Sequence, residues 1–317
     1  MRNYAASLLI VGIVGAPTFT QASGLFVSFF NTDSVALYDG QTGALLNGNF
    51  ASVQDTLGVA VGPDHNLYVG SDNLGAPTES GAAVVRFGIN GTTGTPNGVF
   101  AGHSGNNNLN NPQGLAFSGG NLYIADATTG SVFVYNPAGV LVNTLPGLGA
   151  PAGITFDLSG TLYVADQNQS DIFKYNGTSF VPINSQPALI NDGRDVAVTG
   201  GFAYALDASA SGGIYKISLA DGSAQKIVDY NGSLFQASNL TLGPDGNLYV
   251  SGQDLETADG EILEYGRDGS GGGQFIDTGF LTSPGYLTFD VPEPSVLSLA
   301  GLAAAVFAIA RRKRQTA

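Results

Sequence analysis

Two kinds of side chain are the first candidates in this sequence for a reaction or for metal binding. The first is histidine, and the 317 residues contain only His65 and His103. The second is a carboxylate that recurs at one place in a repeated phrase, as Asp126, Asp166 and Asp207. These carboxylates could form a ring that binds cations, or they could accept backbone N–H bonds in a repeated turn. Because every repeat needs that turn, we expect them to be turn residues.

Several common routes to catalysis are excluded by residue types that the sequence lacks. There is no cysteine, so no thiol nucleophile, disulfide or thiolate metal ligand is available. No GxSxG nucleophile elbow and no P-loop occurs either. The remaining candidates are therefore side chains that a repeated scaffold brings together.

The scaffold is a repeat that is clearest over residues 151–175, PAGITFDLSGTLYVADQNQSDIFKY. Related phrases begin at Asn111, Asn191 and Ser238, and each contains short β-type runs separated by Gly and Asx turns. An aromatic residue in the second run marks the register, and it falls at Phe26, Tyr68, Tyr123, Tyr163, Tyr204 and Tyr249, at intervals of 42, 55, 40, 41 and 45 residues. A period of roughly 40 to 45 residues with several strands per unit predicts six propeller blades.

The two ends of the repeat predict that the blades close into a ring. The first unit has strand-like runs at 25–30, 35–38 and 44–50 but no innermost strand before them, whereas 287–289 reads as an innermost strand with nothing after it. The two halves complete one blade, and closure removes the open sheet edges of an all-β chain. The sequence therefore predicts an all-β, six-bladed β-propeller over residues 23–290, closed by its N- and C-terminal strands.

The first 22 residues are typical of an N-terminal signal peptide. Arg2 precedes a short apolar run, and Thr20 and Ala22 have the spacing of a signal cleavage site. We expect cleavage after Ala22, which would place the body of the protein outside the cytoplasm.

Charge excludes one large class of partner. Five of the 11 basic residues lie at the two ends of the chain, so the stretch between them, residues 3–310, has six basic residues against 25 acidic ones, a balance near −19. Long-range electrostatics therefore disfavours phosphate-rich partners, and we expect no nucleic acid binding.

The most specific pattern lies at residues 291–317, VPEPSVLSLAGLAAAVFAIARRKRQTA. An apolar run at 295–310 predicts a transmembrane helix of about 24 Å, which is short for a hydrocarbon core of about 30 Å. A Pro-Glu-Pro triplet precedes this run and a basic cluster follows it, and the candidate sorting residues are Val291, Pro292, Glu293, Pro294, Arg311, Arg312, Lys313 and Arg314.

This order of three parts resembles the PEP-CTERM sorting signal. The resemblance implies recognition by an exosortase, a membrane protease of Gram-negative bacteria that make exopolysaccharide, with removal of the tail near the Pro-Glu-Pro triplet. The protein would then be anchored transiently in the membrane before it reaches the cell surface or the extracellular matrix. A permanent single-span anchor is the alternative.

The third and fourth blades resemble the NHL-type propeller repeat, on phrases such as GLAF, LYIAD and VFVY. Tryptophan is absent and no GH…WD pairing occurs, which argues against WD40 blades. The enlarged loops at 71–81, 101–113 and 252–260 are predicted on one face of the disc, which makes that face the better candidate for binding.

A second resemblance concerns gluconolactonase-like lactonases and streptogramin lyases, six-bladed propellers that bind a divalent metal at the central channel. It implies Asn or Asp ligands just before the innermost strands, but Ala152 and Ser238 stand at two of these positions. The residues that could still face the channel mouth are Gln113, Arg194, Asp195 and Asn239. With so few oxygen ligands, we expect no cofactor, and a divalent metal remains the alternative.

We therefore expect an exported cell-surface or matrix protein whose propeller is a binding module for an extracellular polysaccharide or a surface protein. The alternative is a metal-dependent lactonase or lyase with its site at the channel mouth.

Overall fold

Short apolar runs bounded by Gly and Asx turns form an all-β fold in the computed structural model. The structure describes residues 24–74, 81–103, 109–186, 189–230, 235–279 and 281–290. These residues contain 24 strands in six four-stranded antiparallel sheets, and one 3-10 turn at Phe30–Thr32. The prediction of a six-bladed propeller is confirmed.

Each sheet is one blade, whose four strands follow one another from the channel outwards. Blade 1 contains β24 (Pro284–Asp290), β1 (Gly24–Phe29), β2 (Ser34–Tyr38) and β3 (Leu45–Ser52). Blade 2 contains β4 (Thr56–Val61), β5 (Asn66–Ser71), β6 (Ala83–Asn90) and β7 (Thr93–Gly102). Blade 3 contains β8 (Pro112–Ser118), β9 (Asn121–Asp126), β10 (Ser131–Tyr135) and β11 (Leu141–Pro146).

The other three blades follow the same order. Blade 4 contains β12 (Pro151–Phe156), β13 (Leu162–Asp166), β14 (Asp171–Tyr175) and β15 (Phe180–Pro182). Blade 5 contains β16 (Gly193–Thr199), β17 (Phe202–Asp207), β18 (Gly213–Ser218) and β19 (Ala224–Asp229). Blade 6 contains β20 (Phe235–Leu242), β21 (Leu248–Asp254), β22 (Gly260–Tyr265) and β23 (Gly271–Asp277).

The ring is closed by pairing of the last strand with the first. β24 is antiparallel to β1, with Leu25 opposite Phe289 and Val27 opposite Leu287. The predicted joining of two half-blades is therefore confirmed, and the innermost strand of blade 1 is supplied from the far end of the chain.

The hydrophobic core is divided among the interfaces between blades. Each pair of neighbouring blades shares one cluster of buried apolar side chains among the described residues. Edge-on aromatic pairs recur in these clusters, such as Tyr249 with Phe289, whose ring centroids lie 5.0 Å apart. Such contacts combine area burial with a preferred ring geometry.

Three buried aspartates clamp the loops of blades 3, 4 and 5. The Asp166 carboxylate accepts N–H bonds from Gly149 at 2.6 Å, Ala150 at 3.0 Å and Gln169 at 2.8 Å, so it joins the loop entering the blade to the turn between its second and third strands. Asp126 and Asp207 make corresponding bonds. They therefore act as turn residues.

Two other aspartates do not occupy the place expected for them. The sequence pattern suggests Asp72 and Asp254 as the same position displaced by insertions. Cross-strand pairing instead places Ser71 opposite Thr56 in blade 2, and Gly252 opposite Ala237 in blade 6. The Ser71 hydroxyl takes over the clamp by donating to the Gln54 carbonyl at 2.6 Å.

The predicted signal peptide at 1–22 and the tail at 291–317, with its apolar run at 295–310, lie outside the described residues. No helix in the described part of the chain is long and apolar enough to cross a membrane.

Candidate functional site

The six innermost strands surround a central channel with a cavity of about 400 Å³. Each of these strands has an irregular register near its start, where one extra residue faces the partner strand. Such a β-bulge re-aims a side chain. The residues at this point form what we call the bulge ring, and they are Gly58, Gly114, Gly153, Asp195, Asn239 and Tyr286.

One half of the bulge ring has no side chains because the neighbouring blade lies too close. A Cβ atom at Gly58 would overlap the Gln113 carbonyl oxygen, and one at Gly114 would overlap that of Ala152. At Gly153 an added Cβ would overlap the Asp195 carboxylate. Glycine is therefore required at these three positions to let the inner strands approach one another.

The other half of the bulge ring is a hydrogen-bonded chain across blades 5, 6 and 1. Asp195 is 6% exposed and accepts from the N–H groups of Val196 at 2.7 Å and Leu240 at 3.2 Å, and from the Asn239 side-chain amide. The Asn239 carbonyl oxygen accepts from the Leu287 N–H at 3.1 Å. These two side chains therefore fasten β16 to β20 and β20 to β24.

Burial gives Asp195 an unusual titration. Removal from water raises its pKa to about 7, while hydrogen bonds from Val196, Leu240 and Asn239 act in the opposite direction. A carboxyl group that titrates near neutral pH could transfer protons. Its oxygens are, however, engaged by three donors within the fold.

Tyr286 crosses the channel mouth. It starts on blade 1, and its hydroxyl donates to Gln113 Oε1 on blade 3 at 2.7 Å. The Gln113 amide nitrogen in turn donates to Asn111 Oδ1 at 2.6 Å. Burial raises the pKa of Tyr286 far above its ordinary value, so its hydroxyl stays protonated.

The four residues predicted at the channel mouth thus have different positions. Asp195 and Asn239 line the channel cavity. Gln113 reaches this region through its hydrogen bond to Tyr286. Arg194 is 43% exposed and its Nε lies 3.0 Å from Asp192 Oδ1, so it forms an ion pair beside the channel.

The donor set at the channel does not fit a divalent metal ion. Ca²⁺ and Mg²⁺ require several free oxygen ligands, but the side-chain oxygens of Gln113, Asn239 and Asp195 accept hydrogen bonds from protein groups. The described residues contain no group of three His, Asp or Glu side chains placed to bind a metal. The bulge ring is built to hold strands together.

The two histidines lie apart from the bulge ring and on opposite faces. His65 lies in the turn between β4 and β5, where its Nδ1 is 3.5 Å from Asp290 Oδ1. His103 follows β7, and its Nδ1 lies 2.7 Å from the Leu109 carbonyl oxygen. They cannot share one catalytic site.

Sequence reasoning missed Tyr286. Its phrase SPGYLTF belongs to the closing strand, where no second run follows to fix the register. Alignment of this phrase with GRDVAV and ASNLTL on their shared apolar residues would have placed Tyr286 beside Asp195 and Asn239.

Known structures share the fold at low sequence identity. A chain from the crystal structure of a nidogen/laminin complex is 16% identical, with a TM-score of 0.66 over 85% of this chain and 99% of that one. A Bacteroides fragilis protein assigned as a 6-phosphogluconolactonase is 15% identical, with a TM-score of 0.59 over 87% and 99%. At these identities the likeness shows the propeller fold alone.

A third structure is similar over less of its length. Virginiamycin B lyase from Staphylococcus aureus is 12% identical, with a TM-score of 0.53 over 74% of this chain and 77% of the lyase. None of the curated proteins compared with the chain matches it.

One family model matches the chain, and it covers the tail. Residues 290–314 match the PEP-CTERM protein-sorting motif. This match includes all eight predicted sorting residues and indicates an exported protein that is anchored transiently and processed by an exosortase. The chain is therefore a six-bladed β-propeller that carries a PEP-CTERM sorting motif over residues 290–314.

Proposed function

We propose that this propeller is a binding module at the cell surface or in the extracellular matrix, where it recognises an extracellular polysaccharide or a surface protein. The sorting motif supports the destination, because it indicates export. A sorting motif does not specify an activity, so the molecular role has to be argued from the propeller itself.

The observation that carries the proposal is the pairing of polar groups in the channel. In the lactonase alternative, the channel would supply free oxygens for a metal ion. In this propeller Asp195 and Asn239 accept backbone N–H bonds from the next blade, and Gln113 accepts from Tyr286. The polar side chains of the channel thus stabilise the fold. The outer surfaces of the disc and its loops are therefore the better candidates for recognition.

Among the described residues, one observation favours the enzyme, namely that burial raises the pKa of Asp195 to about 7. A general acid or base must also reach the substrate proton. Asp195 is 6% exposed and bonded to three donors. The binding module therefore explains the channel better than the lactonase or lyase.

The experiment separates destination from binding. In the native host, replacement of Pro292, Glu293 and Pro294 by Ala is expected to leave the chain uncut, as measured by its mass and by its loss from the matrix fraction. The matched control is Gln315→Ala with Thr316→Ala, which lies outside the matched motif. Unchanged processing of the triple variant would contradict sorting by this motif.

Binding is tested with the full chain purified in detergent. It is mixed with polysaccharide and surface-protein fractions from the host, and saturable retention by one fraction is expected. If neither fraction retains the chain, the binding proposal is wrong even when sorting is normal.

A further inference from the structure

The aromatic residue on the second strand of each blade is buried in five of the six blades. The exposed fraction does not exceed 4% for Phe26, Tyr68, Tyr163, Tyr204 and Tyr249. Tyr123 in blade 3 is the exception, because it is only partly buried. This position is therefore buried in five blades and only partly buried in blade 3, and we look for the cause in blade 3 itself.

Two features cover the tyrosines in other blades. In blades 2, 4 and 6 a turn aspartate accepts the tyrosine hydroxyl, and the pairs are Tyr68 with Asp64 at 2.9 Å, Tyr163 with Asp157 at 3.2 Å and Tyr249 with Asp245 at 3.1 Å. A long charged side chain also stands directly opposite on the third strand in blades 2, 4, 5 and 6, and these residues are Arg86, Lys174, Lys216 and Glu264.

Blade 1 has neither feature, and Phe26 there packs edge-on against Phe50 with ring centroids 4.8 Å apart. Blade 3 also lacks both features. The turn before Tyr123 is Ser-Gly-Gly-Asn over residues 118–121 and contains no carboxylate. The residue opposite Tyr123 on the third strand is Val134, which is too short to cover the ring. Tyr123 still packs edge-on against Phe156 of blade 4, with centroids 4.8 Å apart. The other side of the Tyr123 ring faces a groove.

This groove lies between blades 3 and 4 and has a volume of about 490 Å³. We call it the blade 3–4 groove. Its aromatic lining is Tyr123, Phe156 and Tyr175, and its polar lining comes from Asn121, Asn143, Ser159 and Thr161. No Asp, Glu, Lys, Arg or His from the described part of the chain lines it, although the sequence contains 25 acidic residues. The volume is within the range of small-ligand sites.

The side chains that line the blade 3–4 groove indicate the chemical class of its ligand. Aromatic rings offer flat apolar contact with a polar hydroxyl at the edge. The side-chain amides of Asn121 and Asn143 can donate hydrogen bonds, and Ser159, whose hydroxyl donates to Asp157 at 2.6 Å, can accept through its oxygen, which suits a ligand whose own hydroxyls do both. Without a charged partner, an anionic or cationic group would lose hydration and gain no ion pair there.

We propose that the blade 3–4 groove binds an uncharged saccharide, with a sugar ring packed on Tyr123 and Tyr175 and its hydroxyls bonded to the polar lining. This inference rests on the proposed binding function and narrows it to neutral polysaccharide. It places the site on the face formed by the turns after the first and third strands, opposite the face with the enlarged loops.

The test uses a substitution that blocks the groove without touching the core. Val142 lines the groove on β11 and is 54% exposed, so Val142→Lys adds a long charged side chain at its rim. The matched control is Val99→Lys, on the fourth strand of blade 2, because Val99 is 39% exposed and does not line the groove. Thermal unfolding confirms that both variants fold.

The full chain is measured against immobilised dextran, laminarin and galactomannan, with alginate as the charged counterpart. We expect saturable binding to at least one neutral polysaccharide that is constant from pH 5 to 8, because no described group lining the groove changes its charge in that interval. Val142→Lys should weaken this binding by about tenfold or more, whereas Val99→Lys should leave it unchanged.

The outcomes separate the groove from the general proposal. Retention on alginate alone, or equal binding by Val142→Lys and the unmodified chain, overturns the saccharide groove while leaving a binding module in place. Failure of every neutral polysaccharide to bind also overturns it. If the chain retains no host polysaccharide or surface protein at all, the proposed function itself is wrong.

Discussion

Single residues in the channel show how one position of a repeat can serve different ends. Gly153 leaves space for the Asp195 carboxylate, and Asp195 and Asn239 reach across to backbone N–H groups of the following blades. A buried carboxylate is costly unless it is hydrogen-bonded. The three hydrogen bonds to Asp195 reduce this desolvation cost. They do not cancel it, because the pKa of Asp195 is still raised.

The raised pKa of Asp195 predicts a stability that falls as pH rises. The carboxyl group ionises near 3.8 when unfolded and near 7 in the folded protein, because burial disfavours the charge. Between these values the folded state holds a proton that the unfolded state has lost. The free energy of unfolding should therefore decrease with rising pH, by at most about 1.4 kcal/mol per pH unit.

Chemical denaturation of the full chain at intervals from pH 5 to 8 measures this slope. Asp195→Asn should make the slope shallower, and the difference from the unmodified chain isolates this group. Asp268→Asn is the control, because hydrogen bonds from Ser270 lower the pKa of Asp268 and it stays ionised throughout. Equal slopes for the unmodified chain and Asp195→Asn would contradict the assignment.

Within the propeller, the sequence predicted single residues best where repetition made them visible. Asp126, Asp166 and Asp207 recur at one spacing, and their turn role follows from that. The bulge ring is harder to read, because an extra residue in each inner strand shifts the register and hides which side chain faces the channel. Tyr123 is partly exposed and has Val134 opposite it, a cross-strand relation that spacing alone does not give.

At the level of elements, the innermost strands depend on close backbone approach. Gly153→Ala should lower the free energy of unfolding by about 3 kcal/mol or more, because the added methyl group overlaps the Asp195 carboxylate and Cα with no room to move. Gly273→Ala on β23 is the matched control, because a Cβ there meets no atom within 4 Å. Its effect should stay within about 0.5 kcal/mol.

Denaturant unfolding of the two variants measures the difference. If Gly153→Ala were as stable as Gly273→Ala, the tight contact between blades 4 and 5 would not exist as described.

The strands were the most predictable part of the fold, since short alternating runs between Gly and Asx turns specify strands directly.

At the level of the whole molecule, the closed ring and the paired channel predict a protein that does not depend on a metal. Excess chelator should shift the melting temperature of the full chain by less than about 1 °C, because the channel oxygens already have hydrogen-bond partners. Elemental mass spectrometry on the same sample checks metal content. About one divalent ion per chain together with a chelator-induced drop would contradict this and favour the lactonase.

The acidic composition of the molecule is explained largely by its architecture. Asp39, Asp157, Asp221, Asp245 and Asp268 each accept backbone N–H bonds in turns at the blade edges. Negative charge is thus a by-product of building many tight turns with aspartate. The number of blades was predictable because one phrase recurs in each blade, and the closure because the two ends of the repeat each supply part of one blade.

Ring closure also has a consequence in time. Synthesis proceeds from the N-terminus, and the strand that completes blade 1 is β24, which ends at Asp290 where the sorting motif begins. Blade 1 therefore lacks its innermost strand until residues 284–290 have been made. The ring can therefore close only when the residues directly before the sorting motif have been made. A chain truncated before β24 would have neither a closed ring nor the sorting motif.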